Sequence, residues 1–255
     1  MRALDALALV ASGAGAGAMN ALAGGGTILT FPTLMLLGHG ARVANATSTV
    51  ALLPGAAASL AGYRREVATH REWLTRLLLP SLIGGALGSA LLLATPEKLF
   101  ARLAPFLVWF ATALFALQTL RAARRGAATA TAPGDGRRLA VAWISQFGVA
   151  IYGGYFGAGI GILMLVVLGH LGLSNIHAMN GLKNFFGICI NLVAAGVFVA
   201  GGLVEPIAAL VLAVGAIAGG WFGARFGRWI GAQGARLAVI AIGTLVGALL
   251  LIRGI

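Results

Sequence analysis

The chain reads as an all-α integral membrane protein built from two inverted-topology repeats. Each repeat is a glycine-broken or re-entrant helix pair followed by three transmembrane helices, about 8–10 segments in all. Three observations lead there. Of 255 residues, 60% are hydrophobic and 9% charged, with a mean hydropathy of +0.96, whereas a soluble domain carries about a quarter charged residues. Uninterrupted apolar runs such as residues 73–94 and 178–200 match the roughly 20 residues that cross a bilayer core and are far too long for barrel strands. Finally, glycine clusters interrupt this pattern once in each half, at Gly24, Gly25 and Gly26 and again at Gly157, Gly159 and Gly161.

Residues 4–22 form the first apolar segment, and the three glycines separate it from a short one at 27–37. Residues 46–62 form a third. Residues 63–73 are a loop carrying Arg64, Arg65 and Arg71, with Arg76 just beyond. Residues 73–94 span, 95–102 turn and 103–120 span again. The longest polar interval, 121–138, holds five arginines and Pro133-Gly134-Asp135-Gly136. It divides the chain into a first transmembrane repeat (1–125), a cytoplasmic linker (126–138) and a second repeat (139–255). Segments 139–152 and 160–171 are again short, separated by Gly153, Gly154, Gly157 and Gly159. Residues 178–200, 207–226 and 234–252 are full-length spans. The N-terminal MRALDALALVASGAGAGA has the look of a signal peptide. Apolar sequence resumes directly after it and its glycines recur in the second half, so it is read as part of the mature protein.

Eighteen basic against six acidic residues give a net charge of +12, which raises nucleic acid or phospholipid as partners. The arginines cluster in short loops at 63–76, 121–138 and 224–236, as topology signals do, and no basic surface studded with aromatics appears. The lipid bilayer is therefore the partner and nucleic acid is not. Placing the three basic loops in the cytoplasm puts residue 46 outside. The first broken pair then starts and ends outside, the second starts and ends inside, and both termini lie outside a multi-pass bacterial inner membrane protein. The halves thus run in opposite senses, the arrangement of many secondary transporters. At the residue level, Asn45 and Asn180 stand 135 positions apart, and the same offset carries Gly24 to Gly159, Gly26 to Gly161, Ala23 to Ala158, Thr49 to Asn184 and Pro54 to Cys189.

Consecutive glycines cost a helix about 1 kcal/mol each relative to alanine, and their backbone tolerates lipid depth only when buried or facing a water-filled cavity. A broken helix also presents free N–H groups and the positive end of a dipole, which attract anions. On this chemistry the substrate-binding candidates are Asn20, Gly24, Gly25, Gly26, Asn45, Thr47 and Ser48 from the first half, and Tyr155, Gly159, Asn180, Lys183 and Asn184 from the second. Lys183 is the sharpest, a charge inside an apolar span, with the Asn180 and Asn184 amides beside it; snorkelling to the cytoplasmic surface is its other reading. Helix capping explains Asn45 equally well. For the other glycines, including Gly13, Gly15, Gly84, Gly85, Gly88, Gly215, Gly219 and Gly220, close helix packing is the reading. Tyr152 and Gln146 add donors near the second break, though Tyr152 and Tyr63 also suit aromatic-belt anchoring. A glycine-rich outer face can pack a second protomer, as a homodimer, or lipid.

Several classes of function are disfavoured. Asp5, Glu66, Glu72, Glu97, Asp135 and Glu205 all fall at segment ends or in loops, which leaves an intramembrane enzyme no buried acid and a cation carrier no carboxylate. His39, His70, His170 and His177 lack ligand spacing, so neither metal nor cofactor is implied. The lone Cys189 makes no internal disulfide. An ion-coupled carrier of another small solute and a non-transporting structural membrane protein stay open beside an anion carrier.

The segments NALAGGGTILTFPTL (20–34), ANATSTVALLPG (44–55), YRRE (63–66), YGGYFGAGIGILML (152–165) and MNGLKN (179–184) resemble, in order, those of the sulfite exporter TauE/SafE family of bacterial membrane transporters. With the helices between them they cover nearly the whole chain. Gly159-Ile160-Gly161 departs from the three-glycine run of the first half. The resemblance implies a transporter of sulfite, of sulfonates such as sulfoacetate, or of other small organic anions, and marks Arg64 and Arg65 as outer contacts of the cytoplasmic mouth.

Overall fold

The computed structural model describes residues 2–22, 24–61, 63–122, 136–171, 173, 175–230, 240–241, 243–245 and 248. Among them the only regular structure is helical. In order the helices are α1 (Ala3–Leu22), α2 (Thr27–Leu36), α3 (Ala41–Ala61), α4 (Arg64–Ala68), α5 (Arg71–Ala94), α6 (Glu97–Ala122), α7 (Gly136–Tyr155), α8 (Ile160–His170), α9 (Ile176–Ala200) and α10 (Pro206–Ile230). Among the described residues four stretches are long and apolar enough to cross a membrane: Ala41–Ala61, Arg71–Ala94, Ala178–Ala200 and Pro206–Gly223. By contrast α2 and α8 have 10 and 11 residues. At 1.5 Å per residue each reaches only about half of a 30 Å hydrocarbon core.

Most boundaries fall within a few residues of expectation, and the differences have local causes. Helix α3 begins at Ala41, five residues before the expected start. Gly38, at φ +91°, ends the preceding turn, and the Gly40 carbonyl already accepts the Ala44 N–H at 2.8 Å. Asn45, Thr47 and Ser48 therefore lie inside the helix, which removes the capping reading of Asn45. Helix α6 starts at Glu97 because Pro96 is preset for a first helical turn, its carbonyl accepting the Leu99 and Phe100 N–H groups at 3.0 Å. The expected loop at 63–73 contains the short helix α4. The linker residues 126–135 and most of the expected span 234–252 lie outside the described residues.

Glycine seams hold the bundle together. Where α1 meets α10, a Cβ on Gly17 would stand 2.1 Å from the Ala216 carbonyl oxygen, and one on Gly219 would stand 1.8 Å from that of Ala14. Where α5 meets α7, a Cβ on Gly88 would stand 2.1 Å from the Ile151 carbonyl oxygen. Backbones this close gain dispersion contacts that lipid cannot offer, the usual basis of small-residue packing in membranes. The packing also repeats. Helices α3 and α9 begin at 41 and 176, and α5 and α10 at 71 and 206, both pairs separated by the 135 positions that join Asn45 to Asn180. Gly84, Gly85 and Gly88 of α5 recur at that offset as Gly219, Gly220 and Gly223 of α10. Gly85 packs on Ile190 of α9, and Gly220 packs on the equivalent residue of α3, Gly55.

One end of the bundle is closed by side chains. Phe31, Phe100 and Phe156 are fully buried and meet edge-on, with Phe31 and Phe156 centroids 5.3 Å apart and Phe100 and Tyr155 5.5 Å apart. Nearby, the Arg42 guanidinium donates to the Thr95 carbonyl at 2.7 Å and the Leu93 carbonyl at 3.1 Å and pairs with Glu97 at 3.5 Å. These bonds satisfy the end of α5 and pin the α5–α6 turn to the start of α3.

The seams make a direct prediction. Gly219→Ala should destabilise the detergent-solubilised protein by about 1–3 kcal/mol, because a methyl there meets fixed backbone. Gly196→Ala, where a Cβ meets nothing within 4 Å, should leave the thermal midpoint unchanged or raise it. Equal midpoints for the two variants would contradict the seam.

Candidate functional site

The site is built from the two helix breaks. After α1 the chain turns sharply, with Gly24 at φ +81° and Gly25 at φ +99°, backbone conformations that glycine adopts without strain. The Gly24 N–H bonds back to the Met19 carbonyl at 3.0 Å, and the Gly26 N–H donates to Asn20 Oδ1 at 2.8 Å. Asn20 thus satisfies a donor at the start of α2 from the last turn of α1. The second break solves the same problem with other atoms. Gly157 and Gly159 take φ +78° and +76°, and the Tyr152 hydroxyl donates to the Ala158 carbonyl at 2.6 Å.

The two breaks meet. A Cβ on Gly24 would lie 3.4 Å from Gly161 Cα, so only hydrogen atoms separate the two backbones there. Across them runs Lys183 of α9, whose Cδ would lie 3.1 Å from a Cβ on Gly161. Lys183 sits well inside α9 and is only 3% exposed, which rules out the snorkelling position.

Beside this junction lies an open-mouthed cavity whose empty space, the mouth included, is about 640 Å³. The first break lines it with Asn20, Gly24, Gly25 and Thr27, and the second with Gly157, Ile160, Gly161 and Met164. Helix α3 contributes Thr49, Leu52, Ala56 and Ser59; helix α9 contributes Lys183, Asn184, Gly187, Ile188 and Asn191. The Asn184 amide donates to Ser59 Oγ at 3.1 Å and ties the two helices together. Lys183 is the one charged residue among the described lining residues, and carboxylates are absent from that set. An ammonium with amide and hydroxyl neighbours, in low dielectric, complements an anion and repels a cation.

Of the residues singled out from sequence, Asn20, Gly24, Gly25, Lys183 and Asn184 line the cavity. Gly26 lies behind the first break, against Ala16 of α1, and Gly159 lies against Ala111 of α6. Asn180 stands one turn before Lys183, outside the lining. The others gather at the closed end. Asn45 donates to the Tyr155 carbonyl at 3.0 Å, and Thr47 Oγ1 accepts the Glu205 N–H at 3.0 Å. The Ser48 and Thr30 hydroxyls bond each other, and the Tyr155 hydroxyl reaches Thr95 Oγ1 at 3.4 Å. Helical periodicity explains the split, since Thr49, Leu52, Ala56 and Ser59 share one face of α3 and Thr47 and Ser48 point elsewhere. Gln146 of α7 bonds Ser81 of α5 at 2.9 Å, away from the break. Sequence reasoning missed Thr27, Thr49, Ser59, Gly187 and Asn191 as lining residues. The i, i+4, i+8 spacing of Lys183, Gly187 and Asn191 was the available signal for two of them.

Comparison with known proteins is consistent across the chain. The family model described as sulfite exporter TauE/SafE matches residues 9–250. A probable membrane transporter protein of Haemophilus influenzae is 27% identical over 216 residues, covering 81% of this chain and 79% of its own length. No solved structure matches the chain.

Two glycines of this site should respond differently to a methyl group. Gly24→Ala should cost about 1–2 kcal/mol in thermal stability, because a Cβ is strained in the left-handed region. Gly187→Ala, a helical position with nothing within 4 Å of the new atom, should be neutral or stabilising by up to about 1 kcal/mol. A Gly24→Ala protein as stable as the parent would contradict the geometry of the break.

Proposed function

The chain belongs to the sulfite exporter TauE/SafE family of membrane transporters, and on that premise we propose that it is a secondary transporter of a small sulfur-containing or organic anion. Sulfite, sulfoacetate and related sulfonates are the substrates in view, carried across a bacterial inner membrane by alternating access between two inverted repeats. One observation carries the reading: Lys183, 3% exposed, stands in a cavity between two helix breaks, with no carboxylate among the described lining residues. A charge buried in a membrane helix is expensive, and its usual return is a substrate or ion site.

The binding step follows from these groups. The anion enters between the breaks, where the Lys183 ammonium neutralises it, and the Asn184 and Asn20 side-chain amides supply further donors. Such charge-assisted hydrogen bonds are roughly twice as strong as neutral ones. The recurrence of helix starts and glycine triplets at one offset supports the repeat, and the basic loops then set its sense. Arg64, Arg71 and Arg76 are exposed beside the end of α3, so this end faces the cytoplasm and both termini lie outside. On this reading the near wall of the cavity, at Ser59 two residues from the end of α3, lies on the cytoplasmic side.

Uptake into proteoliposomes, screened over sulfite, sulfoacetate, sulfate and acetate, tests the reading. Sulfite or a sulfonate should accumulate. Lys183→Ala should reduce that uptake roughly ten- to a hundredfold, the 1.5–3 kcal/mol of a hydrogen bond to a charged group, while membrane insertion and elution in size exclusion stay as in the parent. Full uptake by a well-folded Lys183→Ala protein, or failure to carry any of the anions, would contradict it.

A further inference from the structure

The cavity is one-sided, and the repeat makes that asymmetry informative. The 135-residue offset exchanges Thr49 with Asn184, Leu52 with Gly187 and Ala56 with Asn191, and all six of these residues line the cavity. The centre of the site therefore lies where the two halves exchange, and it is common to both. The flanks differ. The offset sends Lys183 to Ser48, Ser59 to Ala194 and Asn20 to Tyr155, and none of these three counterparts lines the cavity. Ser48 and Ala194 lie toward the opposite end of α3 and α9, and Tyr155 ends α7 beside them. Ser48 and Ala194 are 0% exposed. Ser48 is bonded to Thr30, Tyr155 is held by Asn45 through its carbonyl, and its ring sits edge-on against Phe100.

We infer that the protein has a second vestibule for the same anion, closed in this structure, with Ser48, Ala194 and Tyr155 on its wall. The inference rests on the reading of the chain as an alternating-access carrier. In an inverted repeat the exchange axis lies in the membrane plane, so the second vestibule opens on the face opposite the first. The two halves swap conformations about the shared centre. The half holding α3's first turns takes up the open packing now seen around Lys183, and the half around Lys183 takes up the closed one. What keeps the vestibule shut is local and breakable: the hydroxyl pair of Ser48 and Thr30, the Asn45 bond to Tyr155 and the aromatic cluster. The closed wall offers the hydroxyls of Ser48 and Tyr155, and the cation nearby, Arg42, is already paired with Glu97, whereas the open side has Lys183. The anion is thus held more weakly on the closed side's face, which suits release there.

Thiol accessibility tests this. In a Cys189→Ala background, Ser48→Cys and Ala194→Cys are two independent probes of the closed wall, and Ala56→Cys probes the shared centre. A membrane-impermeant maleimide is applied to the periplasmic face, with and without a gradient of sulfoacetate, because sulfite itself consumes maleimides. Where the uptake screen selects another unreactive anion, that anion replaces sulfoacetate. Ser48→Cys and Ala194→Cys should be protected at rest and react about tenfold or more faster during transport, as a shifted conformational population requires. Ala56→Cys should react at rest from the cytoplasmic face of inverted vesicles. Protection of both wall probes during measured uptake would overturn the inference, as would equal reaction with and without the anion. If the parent protein carries no anion at all, the transporter reading itself falls; measured uptake with protected probes removes the second vestibule alone. A wall variant that fails to insert leaves the other to decide.

Discussion

A backbone N–H or carbonyl at the depth of a bilayer's hydrocarbon has no water to turn to, and an unsatisfied one costs several kcal/mol. Two helices here begin about halfway, at Thr27 and Ile160, so the chain must satisfy their ends from within. That requirement organises the rest. It brings Asn20 to the Gly26 N–H and the Tyr152 hydroxyl to the Ala158 carbonyl. It calls for glycine at the positive-φ positions of both breaks. It also draws the breaks against each other, Gly24 to Gly161, so that neither faces lipid.

Bringing two breaks to one point demands a scaffold that can close around them, and the glycine seams provide it. The α1–α10 and α5–α7 interfaces are backbone-to-backbone contacts, which leave the long helices α3 and α9 free to face each other across the centre. Their facing residues come in exchangeable pairs, and the cavity extends from them toward the Lys183 and Ser59 side. Lys183, the one charged residue among the described lining residues, is held low: its stem runs over Gly161, where any side chain would lift it. Geometry and electrostatics thus converge on the same few residues, which is why the proposed anion site rests on the packing as much as on the charge.

Much of this was legible in the residues. Glycine clusters and apolar run lengths located both breaks and the short helices behind them, because the cost of glycine in a helix and the thickness of a bilayer are both general. Lys183 stood out for the same reason. What sequence did not reveal was direction around a helix. The start of α3 depended on a turn at Gly38 whose conformation emerges only in the fold, and an error of five residues there leaves the facing side chains unassigned. The sequence points to Asn45, Thr47 and Ser48 as a wall of the site, yet the α3 residues that line the cavity are Thr49, Leu52, Ala56 and Ser59. The recurrence of Gly84, Gly85 and Gly88 as Gly219, Gly220 and Gly223 is present in the letters but hidden among 39 glycines.

The claim at the centre of this account is where the anion sits, and heavy-atom diffraction addresses it most directly. Crystals of the protein soaked with 3-bromopropanesulfonate would report the ligand through the anomalous signal of bromine, with the sulfonate placed by the adjoining density. The account predicts one bromine peak inside the cavity, with sulfonate oxygens within hydrogen-bond distance of Lys183 Nζ and beside Gly25 and Gly161. A well-occupied peak elsewhere on the protein, with the cavity empty at saturating ligand, would contradict it.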